Sequence, residues 1–400
     1  MRLFITFIFS ISCVSSFAQK SDNRITIGTV DTVYSKILNE KRIIYIHVPD
    51  GDKNQHYPVL YILDGETHFQ SAVAIVEQIS GIVPNMVIVG ITNTDRERDL
   101  TPTHVSPDRI INAGDAQKSG GGENFMSFIQ KELIPYVDAH YPTTTYRVFS
   151  GHSLGGLTVV NAFFNHTDLF SAYIAIDPSL WWDGRRWIER EEKRLPQLSF
   201  KNKGLFVAIA NNLPSDLDTL TVLKDTGINT SFSRSVLTFA QILKDARPAG
   251  LRFGSKFYPN EWHGSVELNA EYDALRYLFK FYHFDMNYVR AHPDLNPDSL
   301  VSVHFNKVSK QMGYQVLPTE EMINDMAYGY MGMHKMDYAY TLFKRNIENH
   351  LESSNAWDSL GDYYVAADDK QKAIEAFSKS LSLHETADTR RKLEELKGKK

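Results

Sequence analysis

A regular alternation of short apolar runs with longer amphipathic stretches is the feature that most limits the fold of this chain. The pattern extends from about residue 24 to residue 282. Several of the apolar runs carry no polar face, as strands buried inside a parallel sheet do. The sequence predicts seven strands, at residues 42–49, 59–65, 86–91, 146–151, 173–179, 204–210 and 251–259.

Helical patterns separate these strands. Apolar residues recur at helical spacing within residues 69–80, 123–140, 154–164, 231–244 and 269–282. Alternating strands and helices predict an α/β fold, a mostly parallel sheet with helices on both faces. With 42% hydrophobic and 23% charged residues among 400, the chain can bury a sizeable core. A net charge of −5 without a long basic run argues against nucleic acid as a partner.

The first 18 residues have the pattern of a secretory signal peptide. Arg2 precedes an apolar stretch that ends near Val14, and Ser16 and Ala18 supply small residues before a cleavage point. We therefore expect an exported protein, periplasmic or secreted, without membrane contact after cleavage. A membrane anchor and a lipoprotein modified at Cys13, the chain's one cysteine, are the alternatives.

The C-terminal part has a different pattern. Residues 286–317 are more polar and are predicted to be a linker with one helix near residues 298–313. Residues 318–400 are predicted to form a small all-α, tetratricopeptide-like domain, because small and aromatic residues recur there with a period of 34. The two copies contain Met326, Ala327, Tyr330, Ala339 and Phe343, then Trp357, Leu360, Gly361, Tyr364, Ala373 and Phe377. A capping helix is predicted at residues 387–396, and such a tail would brace the chain, bind a protein partner or self-associate.

A G-x-S-x-G motif joins the fourth predicted strand to an apolar helix. It is formed by Gly151, His152, Ser153, Leu154 and Gly155. In a nucleophile elbow the serine occupies a strained turn above the carboxyl edge of the sheet. The sequence predicts that Ser153 is a nucleophile and that the backbone N–H of Leu154 is an oxyanion donor. A glycine-flanked turn without chemistry is the alternative.

A serine hydroxyl needs a base, and His263 follows the last predicted strand, where such a base is expected. The triad acid is expected after the strand at residues 204–210. That segment offers Asp216, Asp218 and Asp225; we predict Asp218, with Asp225 as the alternative, and spacing alone does not decide. A Ser–His dyad without a close acid also stays open.

Further site residues are predicted from their places after strands. The backbone N–H of Glu66 or Thr67 is expected to be the second oxyanion donor. His152 is predicted to shape the pocket wall. Trp181 is predicted to form an aromatic wall for an acyl or aryl group, with a packed loop core as the alternative. No sequence spacing predicts a metal site or a cofactor.

Residues 39–282 resemble the esterase D-like branch of the α/β-hydrolases, which includes ferric-enterobactin and bacillibactin esterases. The resemblance rests on the motifs YPVLYILDGE, VGITNTDRERDLTPT, GHSLGGL, DPSLWWD and WHGSVELNAEYDALRYLF. It implies a serine hydrolase with Ser153 as nucleophile and His263 as base, and it suggests that Arg96, Arg98 and Asp99 line or brace the site. A solvated charged loop is the alternative for these three.

Together these features predict a serine esterase that cleaves carboxylic esters through a seryl acyl-enzyme. A siderophore lactone and an acylated carbohydrate are the two expected substrate classes. A non-catalytic hydrolase-fold protein that docks partners through its tail, and an acyltransferase that uses the same residues, are the alternatives.

Overall fold

The computed structural model describes residues 24–51 and 55–398. The predicted signal peptide and Cys13 lie outside these residues. The described chain contains an eight-stranded sheet. Its strands are β1 (Thr29–Ser35), β2 (Glu40–His47), β3 (Tyr57–Leu63), β4 (Val87–Ile91), β5 (Thr143–His152), β6 (Ala172–Ile176), β7 (Lys203–Ala210) and β8 (Leu251–Tyr258).

The strand order is β1-β2-β4-β3-β5-β6-β7-β8, and β4-β3-β5-β6-β7-β8 are parallel neighbours. β1 pairs antiparallel with β2, and β2 pairs antiparallel with β4. The mostly parallel sheet and its seven predicted strands are therefore confirmed. β1 was not predicted, because this edge strand is largely exposed and lacks the apolar run that marks the central strands.

Helices cover both faces of the sheet, and each predicted helix in this region is confirmed. A turn of π-helix at Ile129–Leu133 joins the fourth and fifth helices into one rod. The helices are α1 (Gly65–Gln78), α2 (Arg96–Asp99), α3 (Ala113–Lys118), α4 (Gly122–Phe128), α5 (Ile134–His140), α6 (Leu154–Asn165), α7 (Arg186–Glu192), α8 (Ser231–Ala246) and α9 (Glu267–Leu278).

Each face has its own apolar core. On one face α4, α6 and α8 bury aromatic residues that include Phe128, Phe163 and Phe239. On the other face α1 and α9 bury aliphatic residues such as Val76 and Leu275. With both faces covered, the loops that follow the parallel strands are left as the open edge where polar groups can gather.

The segment expected to be a linker is largely helical. It forms α10 (Met286–Ala291) and α11 (Pro297–Met312). α11 buries Val308 and Met312 in the second face of the sheet, and it buries Val301 among the C-terminal helices. The helix predicted near residues 298–313 is therefore confirmed as α11, whereas α10 was not predicted. The two apolar sides of α11 explain why the segment packs on both of its neighbours and is not a free linker.

The C-terminal region consists of five helices that pair along the chain. They are α12 (Glu320–Gly332), α13 (Met336–Asn349), α14 (Ser354–Ala366), α15 (Lys370–Leu383) and α16 (Ala387–Leu396). α14 and α15 approach closely at Gly361, where a Cβ atom would lie 2.4 Å from the Phe377 ring. None of the helices in the described residues is both long and apolar enough to cross a membrane.

Candidate active site

Ser153 occupies a strained turn between β5 and α6. Its φ and ψ angles are 60° and −118°, a conformation that an L-residue rarely adopts. Gly151 permits the turn, because a Cβ atom there would lie 2.6 Å from the backbone of Gly155. The Ser153 N–H donates to the Ile176 carbonyl, which ties the turn to β6. The geometry of a nucleophile elbow is therefore present at the predicted serine.

His263 lies in the turn between β8 and α9, and its ring reaches Ser153. The Nε2 atom of His263 is 3.1 Å from Ser153 Oγ. Ser153 Oγ also lies 3.3 Å from the hydroxyl of Ser179, a contact that the sequence did not predict. The His263 side chain is one-third exposed, so the reactive edge of the pair is open to a substrate.

Asp177 is the carboxylate that contacts His263. Its Oδ2 atom lies 2.6 Å from His263 Nδ1, and the residue is only 5% exposed. Asp177 Oδ1 accepts a hydrogen bond from the Ala210 N–H at 3.0 Å, and Oδ2 accepts one from Asn212 Nδ2 at 2.9 Å. Asn212 Oδ1 also accepts a hydrogen bond from the backbone N–H of His263. This network fixes both the carboxylate and the imidazole.

The predicted acid, Asp218, does not reach His263. It is exposed, and its Oδ1 atom accepts hydrogen bonds from Leu220 and Thr221 in its own turn. The alternative, Asp225, accepts from the Gly227 N–H and the Thr230 hydroxyl. The placement of the acid after β7 is therefore corrected to Asp177, after β6.

One sequence signal could have found Asp177. It is the first polar residue after the fully buried strand β6, directly before Pro178. Asp216 and Asp218 instead sit in a Pro-Ser-Asp-Leu-Asp-Thr stretch, whose composition is typical of turns that use their own side chains. An acid at the end of a buried strand has few local partners, so its carboxylate is free for a distant one.

The two predicted oxyanion donors begin helices at this edge of the sheet. Leu154 is the first residue of α6, and Glu66 is the second residue of α1. The Thr67 N–H, the other candidate, donates to the Asp64 carbonyl at 2.9 Å. N–H groups at a helix start have no partner inside the helix, so those of Leu154 and Glu66 suit a developing negative charge.

Arg96 braces the site through Asp64. Its Nε and Nη2 atoms donate to the two Asp64 carboxylate oxygens at 2.7 and 2.9 Å, and Nη2 lies 3.4 Å from the His152 carbonyl. Burial alone would raise the pKa of Asp64, but the hydrogen bonds and charge of Arg96 outweigh it, and the pKa is lowered. Arg98 instead donates hydrogen bonds to Glu40 and Asp99.

His152 and Trp181 are the two residues predicted to line the substrate pocket. The His152 ring is centred 4.4 Å from the His263 ring. Burial, followed by the charge of His263, lowers the pKa of His152 to about 4, so its ring is neutral at ordinary pH. Trp181 packs on Phe232, with the ring centroids 4.7 Å apart. Its contact with a substrate stays a prediction.

A second histidine and a carboxylate meet His152, although no sequence spacing predicted a metal site. His68 comes from α1 and Glu267 from the start of α9. One ligand atom from each of His68, His152 and Glu267 lies within 4.8 Å of the other two. Three elements far apart in sequence bring these groups together, which is why spacing could not reveal them.

Comparison with known proteins agrees with this fold. The profile of the Esterase family, described as "Putative esterase", matches residues 35–238. Ferri-bacillibactin esterase BesA of Bacillus subtilis is 30% identical over 207 residues, which cover 46% of this chain and 69% of BesA. The siderophore enterobactin esterase of Emericella nidulans is 27% identical over 143 residues, 32% of this chain and about half (47%) of that protein.

A solved structure extends the likeness beyond the family profile. The IroE-like serine hydrolase from Shewanella oneidensis is 32% identical, with a TM-score of 0.69 over 80% of this chain and 99% of that one. The family profile alone spans just over half of the chain. This chain therefore belongs to the Esterase family of α/β-hydrolases and is a carboxylic ester hydrolase.

Proposed function

We propose that this protein hydrolyses carboxylic esters through an acyl-enzyme on Ser153. The observation that carries the proposal is the continuous chain of contacts from Ser153 Oγ through the His263 ring to Asp177. A serine hydroxyl becomes a strong nucleophile only when a base can take its proton, and His263 Nε2 is within reach.

In the proposed reaction Ser153 Oγ attacks the ester carbonyl carbon while His263 Nε2 takes its proton. The N–H groups of Leu154 and Glu66 stabilise the oxyanion of the tetrahedral intermediate. His263 then gives the proton to the leaving alkoxide, and the acyl group stays on Ser153. Water, activated by the same ring, releases the acid and restores the serine.

Asp177 holds His263 in the tautomer that these reaction steps need. Because Asp177 accepts from Nδ1–H, the lone pair of His263 lies on Nε2, toward the serine. The carboxylate also stabilises the positive imidazolium that forms in each step. Its own hydrogen bonds from Ala210 and Asn212 hold it ready, so little reorganisation is needed.

A siderophore ester is the proposed substrate class. BesA, with 30% identity, is named for ferri-bacillibactin and the fungal relative for enterobactin. Trp181 and Phe232 would offer aryl groups an apolar surface, since the two rings pack together and Trp181 lies in the same loop as Ser179.

Turnover of p-nitrophenyl acetate by the wild type and by Ser153→Ala tests the chemistry. We expect turnover and fluorophosphonate labelling in the wild type, and loss of both in the variant with unchanged circular dichroism. Absence of labelling in the folded wild type would contradict the proposal. A panel of catecholate lactones against acetylated and feruloylated sugars would then identify the ester, with transfer to an alcohol acceptor as the sign of an acyltransferase.

We further propose an exported chain with two domains. Residues 19–285 form the hydrolase domain, and residues 318–400 form the tetratricopeptide-like domain. The paired helices α12 to α15 and the close contact of Gly361 with Phe377 support repeats, and α11 supports a bracing role. A secreted chain whose N-terminal residue is Gln19 would support export, and a chain truncated after Pro318 with unchanged thermal stability would contradict bracing.

A further inference from the structure

A mixed nitrogen and oxygen cluster lies beside the triad and takes no part in the proposed reaction. His68, His152 and Glu267 belong to α1, β5 and α9, and they converge at the carboxyl edge of the sheet. His68 Nδ1 lies 2.5 Å from Glu267 Oε2. The three residues thus form a compact group without being neighbours in sequence.

The donor set is one that transition metals favour. Two imidazoles and one carboxylate are found in catalytic zinc sites, where a fourth position stays open. With metal–ligand bonds of about 2.0–2.1 Å, tetrahedral ligand atoms lie about 3.3 Å apart. The separations in this cluster run from 2.5 Å to at most 4.8 Å, so they bracket that spacing. Shifts of about 1 Å in the side chains would bring the three atoms to metal distance.

An independent observation points to a ligand at this place. His152 Nε2 is buried and has no hydrogen-bond partner among the described residues. Buried polar atoms nearly always have a partner, so an unpaired imidazole nitrogen needs an explanation. An imidazole whose proton lies on Nδ1 offers the Nε2 lone pair to a metal.

The cluster is also accessible. The side chains of His68 and Glu267 are 14% and 17% exposed, so an ion can enter from the open edge of the sheet. We propose that His68, His152 and Glu267 bind one divalent transition-metal ion of the zinc class. Binding replaces the contact between His68 Nδ1 and Glu267 Oε2 with two bonds to the metal, and a neutral His68 then carries its proton on Nε2.

A metal ion at this position would oppose the proposed reaction. It would lie beside the His263 ring, which is centred 4.4 Å from His152 and becomes positive in each step. A nearby dication disfavours that charge, so we expect metal to slow ester turnover and a chelator to restore it. This consequence rests on the proposed function, whereas metal binding itself does not.

Isothermal titration of the untagged full chain with Zn²⁺ tests the site directly. We expect one saturable site, and visible absorption of a tetrahedral complex when Co²⁺ replaces Zn²⁺. His68→Asn and Glu267→Gln should each weaken Zn²⁺ binding by on the order of 100-fold. His166→Asn and Glu123→Gln are matched controls, because His166 Nε2 and Glu123 Oε2 lie 3.2 Å apart as a His–Glu pair outside this cluster.

The possible outcomes distinguish a failure of the proposed metal site from a failure of the proposed esterase reaction. Absence of saturable binding, or equal affinity in all four variants and the wild type, would overturn the metal site whatever the esterase activity is. If His68→Asn does not fold, Glu267→Gln carries the test, since the amide is isosteric with the carboxylate. Zn²⁺ inhibition that persists unchanged in Glu267→Gln would overturn the inhibitory role of this cluster.

Discussion

Two neighbouring loops at the carboxyl edge of the sheet carry aspartates, and the two loops use them in opposite ways. The loop after β6 places Asp177 in a buried position with its oxygens aimed at β7 and at His263. The loop after β7 folds Asp218 back onto Leu220 and Thr221 in an exposed turn. The Asp177 carboxylate contacts a residue that is distant in sequence, and the Asp218 carboxylate accepts hydrogen bonds from backbone N–H groups of its own turn.

This difference shows what a triad acid needs beyond its place in the chain. A carboxylate that must orient an imidazole has to be fixed and shielded from water, because water competes for the same lone pairs. Asp177 meets both conditions through the donors Ala210 and Asn212. Asp218 lies after the expected strand but meets neither condition, because its turn is exposed.

Exchange of each acid for its amide gives the largest expected effect. Asp177→Asn should lower kcat by about 10³ to 10⁴, because an amide donor at this position would favour the wrong tautomer of His263. Asp218→Asn, the matched control, should leave kcat within about twofold, since its carboxylate caps a turn. Both are measured as ester turnover with the fold checked by circular dichroism.

The opposite result would break the comparison. If Asp218→Asn lost activity and Asp177→Asn kept it, the β7 loop would have to rearrange around the substrate and supply the acid. A loss of similar size in both variants would indicate damage to the edge of the sheet and not loss of a triad member.

Asn212 connects the two loops, because it belongs to the loop after β7 and donates a hydrogen bond to Asp177 in the loop after β6. It donates to Asp177 and accepts the His263 N–H, each at 2.9 Å. Asn212→Ala should lower kcat by about tenfold with little change in KM, because His263 and Asp177 lose their alignment. Asn211→Ala, which loses a bond to the Pro259 carbonyl, is the control and should keep its kcat.

An unchanged kcat in Asn212→Ala would mean that the Ala210 N–H alone fixes the carboxylate. A rise in KM with constant kcat would instead place Asn212 in substrate binding. The split between kcat and KM therefore distinguishes a positioning residue from a binding residue.

Glu271 is a third carboxylate near this edge. It shows what burial does to a carboxylate when only one of its two oxygens accepts a hydrogen bond. Its Oε2 accepts from Ser150 Oγ at 3.2 Å, while Oε1 is buried with no hydrogen-bond partner among the described residues. Burial, assisted by the charge of Glu267, raises the pKa of Glu271 from 4.5 to about 8.

The raised pKa predicts a loss of stability with increasing pH. Between pH 4.5 and about pH 8 the unfolded chain has lost the Glu271 proton while the folded chain keeps it. The free energy of unfolding therefore falls in this window, by up to about 1.4 kcal/mol per pH unit. Glu271→Gln should remove this slope with the smallest effect on turnover of the variants considered.

Thermal unfolding of wild type and Glu271→Gln across this pH window provides the measurement. The two midpoints should be similar at the acidic end and should separate toward pH 8, with the variant higher. Glu123→Gln, at a side chain that is 61% exposed, is the control and should follow the wild type. Parallel curves for all three proteins would contradict a protonated Glu271.

Local patterns were sufficient to predict the parallel strands of this fold and the longer helices that cover them. Uninterrupted apolar runs predicted the buried parallel strands, and the G-x-S-x-G turn predicted the elbow at Ser153. The strand pattern also predicted the positions of Ser153, after the fourth predicted strand, and of His263, after the last one. Exposed β1 was missed, because it lacks the wholly apolar composition that a short window reveals. The helix α11 was predicted, but its packing on both of its neighbours was not.

The sequence by itself determined a mostly parallel α/β sheet with a serine in a nucleophile-elbow turn at one edge and a histidine after its last strand. Only the tertiary structure decided that Asp177, 86 residues before His263, completes the contact, and that His68 and Glu267 meet His152. The physical reason is that apolar periodicity acts over a few residues. The choice among several carboxylates depends on burial and on donors contributed by distant strands, and neither is written near the residue itself.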